Sequence, residues 1–199
     1  DNTDIESEVY HVTCNDGSVR EIIISGIVIN SDFLATFVDL TDRIKVENEL
    51  KQSEEKFRNA VMQAPFPILI HAEDGKIEIV NDTWLQLTGY TKNQLSTIDE
   101  WTEKAYGVKK KRVKEEIEKL YSITEKIDEG EYEIKTADGM YRTWYFSSTP
   151  VGKSKDGRRL VMSMALDISK LKNVEGELRK LKDNLEESVF EKTKELNER

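Results

Sequence analysis

Cysteine occurs once in these 199 residues, proline three times and histidine twice. The single cysteine, Cys14, allows no disulfide framework and no cysteine-rich metal site within one chain, which suits a reducing cytosol. Apolar runs are short. None approaches the roughly 20 residues that cross a bilayer, and no secretory leader opens the sequence. Basic charge is also scarce: 30 Lys and Arg stand against 39 Asp and Glu, a net charge of -9. That argues against nucleic acid as a partner, because phosphate binding needs a basic surface. The one basic run, Lys109 to Arg112, is followed by Glu115, Glu116 and Glu118 and reads as solvated helix surface. The sequence opens at Asp1 without a methionine and closes inside a helical pattern at Arg199, so an excerpt of a longer protein is expected. Its location is read as cytoplasmic, with a membrane anchor elsewhere in the parent left open.

What the sequence does contain is a repeat. The first copy runs from Val9 to Lys51 and carries Thr13, Asp16-Gly17, Arg20, Asp39-Leu40-Thr41 and Val46 to Lys51. The second carries Thr136, Asp138-Gly139, Arg142, Asp167-Ile168-Ser169 and Val174 to Arg179. The offset between copies is constant up to the arginine and six residues longer from the aspartate onward. The polar stretch Gly152 to Gly157 accounts for those six as a hairpin tip. A repeat with one loop insertion implies two domains of one type, the first lacking its front. Residues 1–42 are too few to bury a core, whereas the roughly 120 residues between Lys51 and Lys170 can.

Three strands are predicted at Tyr10 to Thr13, Val19 to Asn30 and Phe33 to Asp39, with turns at Asn15-Asp16-Gly17 and Asn30-Ser31-Asp32. Thr41 reads as a helix N-cap, and Asp42 to Ala60 as a helical connector with apolar or small residues at Val46, Leu50, Ser53, Phe57 and Ala60. Ala64-Pro65-Phe66-Pro67 stops it. A hairpin, Ile68 to Ala72 with Lys76 to Val80, precedes helices at Thr83 to Thr88, near Lys92, near Thr97 to Lys104, and over Val108 to Ile127. Three strands follow at Glu131 to Thr136, Met140 to Val151 and Arg159 to Asp167. From Lys170 onward, Leu171, Val174, Leu178, Leu181 and Leu185 alternate by three and four, a coiled-coil seam. Val189 then shifts the phase, which locally weakens or re-winds a coil.

Both copies end a strand in an aspartate followed two residues later by a hydroxyl. One reading is a latch, in which Asp167 pairs with Arg142 and Asp39 with Arg20 while Ser169 and Thr41 cap the outgoing helices. The other is ordinary surface pairing plus capping.

Glu54 to Arg58 leading into Ala64-Pro65, then Val80-Asn81-Asp82, Leu87-Thr88-Gly89-Tyr90, Ala137-Asp138-Gly139 and Asp167-Ile168-Ser169, resemble a PAS domain of bacterial and archaeal sensor proteins. The resemblance implies an α+β fold, a five-stranded antiparallel sheet with helices on one face, over residues 53–169. Residues 1–42 resemble the last three strands of a preceding PAS domain, 43–56 a helical linker, and 170–199 a coiled-coil signalling helix of the kind leading into histidine kinase cores. It also implies a ligand pocket between sheet and helices, walled by Ile70, Ile79, Trp84, Trp101, Tyr106, Ile117, Leu120, Trp144, Phe146, Met162 and Met164. A packed core explains those residues equally well.

Cofactors are constrained by the same resemblance. A LOV-type flavin needs a cysteine in the helical region, and Cys14 lies elsewhere. Haem sensors use a histidine on the long helix, which has none. His71 falls on the first strand of the second domain, where a structural or exposed role is expected rather than ligation. No catalytic constellation is present, and neither His11 nor His71 lies where a phospho-acceptor would. The expected role is a non-enzymatic signal-sensing module. It would act as a homodimer through helices 43–60 and 170–199 and feed a small-molecule or redox signal to a histidine kinase of a two-component phosphorelay. The alternatives are a ligand-free dimerisation spacer, or a sensor controlling a diguanylate cyclase.

Overall fold

The computed structural model describes residues 3–29 and 32–197. The chain divides into two units, Asp1–Asn59 and Ala60–Arg199. In the first, β1 (Thr3–Thr13), β2 (Val19–Ile29) and β3 (Asp32–Asp39) form an antiparallel sheet in the order β1-β2-β3. The β1–β2 turn closes where the Asp16 carboxylate accepts the Ser18 amide at 2.9 Å. Asn30 and Ser31 of the second expected turn lie outside the described residues. Phe33, Leu34, Phe37 and Val38 of β3 are exposed. The helix α1 (Thr41–Met62) follows and runs past the linker bounds expected at 43–56, because nothing in its sequence breaks a helix before Pro65.

The second unit holds β4 (Ile68–Ala72), β5 (Ile77–Val80), α2 (Asp82–Thr88), α3 (Ile98–Tyr106), α4 (Lys110–Leu120), β6 (Ile127–Lys135), β7 (Tyr141–Lys153), β8 (Arg159–Asp167) and α5 (Ser169–Asn197). Its antiparallel strands are ordered β5-β4-β8-β7-β6, so the first strand of the unit lies beside the last. Helices α2, α3 and α4 cover one face, and the larger core forms there from Leu69, Ile77, Trp84, Ile98, Trp101, Val113, Ile117, Leu120, Ile134, Trp144, Phe146 and Val161. A second core lies on the opposite face, where Val61 and Ala64 pack with Ile68, Ile70, Ile79, Leu160, Met162 and Met164.

This two-sided burial corrects the expected pocket wall. Ile70, Ile79, Met162 and Met164 belong to the outer core, while their neighbours Leu69, His71, Val161 and Ser163 face the helices. All five residues of β4 are buried, so its apolar run carries no alternation from which the inner face could be read. The long helix is also shorter than Val108 to Ile127. Gly107 to Lys109 forms a 3₁₀ turn, α4 ends at Leu120, and Ile127 already belongs to β6. The Ser122 hydroxyl donates to the Lys119 carbonyl at 2.7 Å and competes with a further helical turn.

One buried side chain ties three elements together. Asn81, fully enclosed, accepts the Ile68 amide at 2.9 Å and the Trp84 amide at 3.0 Å, fixing the start of β4 and capping α2. Its amide nitrogen donates to the Phe66 carbonyl at 2.9 Å and the Val61 carbonyl at 3.2 Å, holding the chain between α1 and β4. At the far end of α2, Gly89 takes φ 72°, and a Cβ there would approach Ala137 Cβ to 3.3 Å. Replacing Asn81 with alanine strands several buried backbone groups at once, and urea denaturation should show a loss of about 3 kcal/mol. Asn93→Ala, on an exposed turn, should stay within about 0.5 kcal/mol of the wild type.

Candidate functional site

Two places in the second unit combine unusual geometry with polar chemistry: the junction of β8 with α5, and the interior between the sheet and its helices. At the junction the Ile168 amide donates to the Thr143 carbonyl at 2.9 Å, and the Thr143 amide donates to Ser169 Oγ at 2.9 Å. The ladder between β7 and β8 therefore continues one pair beyond the strand and into the helix. Asp167 sits at its centre. One carboxylate oxygen accepts Arg142 Nη1 at 2.6 Å, and the other accepts the Ser169 amide at 3.0 Å and its hydroxyl at 2.6 Å. Burial opposes ionisation of Asp167, but Ser169 and Arg142 outweigh it and hold the carboxyl below its usual range. Lys172, one turn along α5, pairs with Glu131 on β6 at 2.7 Å.

The first unit repeats the arrangement. The Leu40 amide donates to the Glu21 carbonyl at 2.7 Å and the Glu21 amide to Thr41 Oγ1 at 2.9 Å. Arg20 pairs with Asp39 at 2.9 Å, and Asp39 accepts the Thr41 amide at 3.0 Å. In both copies this corrects the expected role of the hydroxyl. Thr41 and Ser169 are the first helical residues, while Leu40 and Ile168 occupy the N-cap positions, accepting the first helical bonds from Ile44 and Lys172. The hydroxyl oxygen receives the adjacent strand's N–H rather than one from its own helix.

Inside the unit, Trp84, Trp101, Tyr106, Ile117 and Phe146 border a cavity of about 30 Å³, together with Tyr132, His71, Ser163, Glu116 and Glu129. That volume holds about two water-sized groups. Leu120 and Trp144 belong to the same core but lie behind this wall. The rings meet edge to face: Trp84 lies 4.9 Å from Trp101 and 5.2 Å from Trp144, and Tyr132 lies 5.7 Å from Phe146. Trp84 Nε1 and Trp144 Nε1 are buried without an acceptor among the described residues, so ring contacts hold these indoles.

A row of polar side chains crosses this otherwise apolar face. Tyr121 OH lies 2.7 Å from His71 Nδ1, His71 Nε2 3.2 Å from Ser163 Oγ, and Ser163 Oγ 2.7 Å from Ser148 Oγ. The Ser148 hydroxyl donates to Glu129 at 2.5 Å. An ionised Glu129 accepts only, and this sets every other direction: Ser163 donates to Ser148, His71 Nε2–H to Ser163, and Tyr121 to Nδ1. Both ring nitrogens are thus engaged, leaving neither free as a ligand. Burial pushes the His71 imidazole down to about 4 and raises the Glu129 carboxyl.

The row was open to sequence reasoning only in part. Counting by twos from Trp144 and Phe146 brings Ser148 inward, and Val161 and Ala165 bracket Ser163 in the same way. Glu129 escapes such counting, because β6 slips register between Asp128 and Gly130. The bulge flips the alternation, so that Ile127 and Glu129 share a face with Tyr132 and Ile134.

Residues 77–165, from the start of β5 into β8, match the family described as the PAS fold. The PAS domain of an HTR-like protein from Haloarcula marismortui is 17% identical, with a TM-score of 0.51 over 62% of this chain and 98% of that one. The PAS domain of Bordetella pertussis BvgS is 20% identical, with a TM-score of 0.51 over 67% and 98%. At such identities the likeness is one of fold. A protein of Sinorhizobium fredii (strain NBRC 101917 / NGR234) named uncharacterized protein y4lL is 29% identical over 143 residues, 71% of this chain and 17% of that protein. The chain thus spans about a sixth of that relative's length. Its second unit is thus similar to PAS domains in sequence over residues 77–165 and has their fold. Among the described residues no helix is long and apolar enough to cross a membrane.

The buried histidine makes stability depend on pH. The unfolded chain takes up a proton near 6.5 that the folded chain refuses until about 4, so the His71 contribution is whole above 6.5 and is lost as the pH falls between these values. Glu129 has the opposite sign, favouring the fold on the acid side. Comparison with His71→Gln isolates the histidine. Between pH 7 and 4.5, urea titrations should show the wild type losing about 2.5 kcal/mol more than the variant; parallel losses would mean that His71 charges freely in the fold.

Proposed function

We propose that residues 53–169 form a signal-sensing module, and that residues 170–199 carry its state, as one strand of a parallel coiled-coil homodimer, to a histidine kinase. Residues 1–42 are read as the closing strands of a preceding PAS domain and α1 as the connector between the two. The observation that carries this reading is the junction. The last strand enters α5 with no intervening loop, and the backbone ladder extends through Ile168 and Ser169. A shift of β7 or β8 therefore has no soft segment in which to dissipate.

Two further features support it. Leu171, Val174, Leu178, Leu181, Leu185 and Val189 are each more than half exposed in the single chain. A helix of 29 residues with such a stripe has little tertiary support, and the matching stripe of a second copy would bury it. The phase shift at Val189 gives the coil two registers of similar energy, which a switch requires. Within this reading the ion pair and hydroxyl at Asp167 act as a latch that sets how firmly sheet and helix are joined. The small volume of the cavity favours one rival, a ligand-free spacer. Mass spectrometry of the purified chain tests it by showing whether a small molecule travels with the protein.

Disulfide formation between single cysteines on α5, in a Cys14→Ser background, tests the coil. Cysteines at Leu178, Leu181 and Leu185 should crosslink, and one at Asp183, on the opposite side of the helix, should not. Adding Asp167→Asn should redistribute the crosslinks while lowering stability by no more than about 1 kcal/mol. Equal crosslinking at every position would remove the coiled coil, and an unchanged pattern in Asp167→Asn would remove the latch.

A further inference from the structure

The interior carboxylate of Glu129 is there by construction. In a regular strand, counting back by twos from Ile134 and Tyr132 would point Asp128 inward and Glu129 outward. The bulge between Asp128 and Gly130, with Gly130 at φ 94°, reverses this and turns a glutamate into an aromatic cavity. Its partners there do not match its charge. The neighbouring Glu116 is balanced by Arg112 at 2.9 Å and accepts the Tyr132 hydroxyl at 3.1 Å. Glu129 has the Ser148 hydroxyl alone, and among the described residues no lysine or arginine lines the cavity or pairs with it. A half-buried carboxylate without a counter-charge is unfavourable, and either a proton or a bound cation relieves it.

The walls discriminate between cations. Hard metal ions take about six oxygen ligands, which one or two carboxylates and an occasional hydroxyl do not supply. Trp84, Trp101, Tyr106, Tyr132 and Phe146 instead offer the π-electron surfaces that attract organic cations. The volume of about 30 Å³ limits what enters to a group of two or three heavy atoms. Tyr106, Glu116, Glu129 and Tyr132 also border an outer cleft of about 430 Å³, where Glu131 and Glu133 stand with Lys109 and Arg112, and which can receive the remainder of a longer molecule. We propose that this cavity binds a small primary ammonium group, whose N–H bonds point at Glu129 and whose first carbons lie among the rings. The ligand is a short alkylamine or the amino end of a longer one. This assignment deepens the sensing function and rests on it only for its consequence at α5.

The test is thermal unfolding and calorimetry of the 199-residue chain with ethylammonium chloride, against sodium chloride at equal ionic strength, ethanol, and sodium propionate. Ethylammonium should stabilise the protein saturably and the other three should not. Glu129→Gln, which removes the charge but retains an acceptor for Ser148, should weaken ethylammonium binding tenfold or more. Glu125→Gln on an exposed turn should leave it unchanged. Independently of any variant, the indole signals of Trp84 and Trp101 should shift in NMR spectra with ethylammonium and not with ethanol. Butylammonium binding more tightly than ethylammonium would assign the outer cleft to the rest of the ligand; equal affinity would restrict the site to short amines. No ammonium-specific response, or one that survives in Glu129→Gln, would overturn the assignment and mean that Glu129 carries a proton. Binding of ethanol or propionate instead would overturn the ammonium class and leave sensing intact. Ethylammonium binding without any change in the α5 crosslinks would keep the site and remove the sensing function.

Discussion

Two hydrogen bonds at the end of β8, Ile168 N–H to the Thr143 carbonyl and Thr143 N–H to the Ser169 hydroxyl, tie the last strand to α5, and the proposed transmission depends on them. A strand that becomes a helix normally passes through residues whose backbone groups turn to water. Here the first helical side chain replaces the missing carbonyl of the ladder, so the pairing ends inside the helix rather than before it. Each bond contributes about 1 kcal/mol net, and the Asp167–Arg142 pair holds the donor and acceptor in register. The energies are small but the geometry is restrictive: separating helix from sheet exposes Thr143 and frees Asp167 together. The first unit builds the same junction from Asp39, Leu40 and Thr41 with Arg20 and Glu21. One short sequence thus produces one mechanical joint in two contexts.

The sheet that the joint restrains is unequal on its two sides. Its outer face meets Val61 and Ala64 through aliphatic and methionine side chains, with the Val61 and Ala64 carbonyls held by Asn81 and Thr83. The inner face combines edge-to-face aromatic rings with the hydrogen-bonded row from Tyr121 to Glu129. That row runs through β4, β8, β7 and β6, neighbours in the sheet, and so includes both strands that reach the joint. Glu129 is bonded to Ser148 of β7, and Ser148 to Ser163 of β8, so the proposed signal has a continuous path between these strands. The route from interior to helix is short and made of directional contacts, as coupling between two sites requires.

Legibility in the sequence followed the physics of each element. The β8–α5 joint could be found because its residues recur at fixed spacing, although the hydroxyl's partner depended on strand pairing that no local pattern reveals. The order of elements is readable from turn residues and prolines, and Asn81 stands out in sequence only within the Val80-Asn81-Asp82 motif. The inner wall was half misread, since Ile68 to Ala72 is apolar on both faces and a one-residue error exchanges every side chain. The end of α4 was missed because Ser122 and the β-branched residues after it oppose a helix only weakly in sequence. Glu129 was invisible for a sharper reason: a bulge breaks the period-two rule by which strand faces are recognised.

The central claim is that α5 begins as part of the sheet. Amide hydrogen exchange at Thr143 and Ile168, followed by NMR in the 199-residue chain, addresses it directly. The account predicts that both amides are protected as strongly as the interior amides of β7, and that Ser169→Ala exposes Thr143 while leaving the rest of the strand protected. Exchange of either amide at the rate of an exposed turn in the wild-type protein would contradict it.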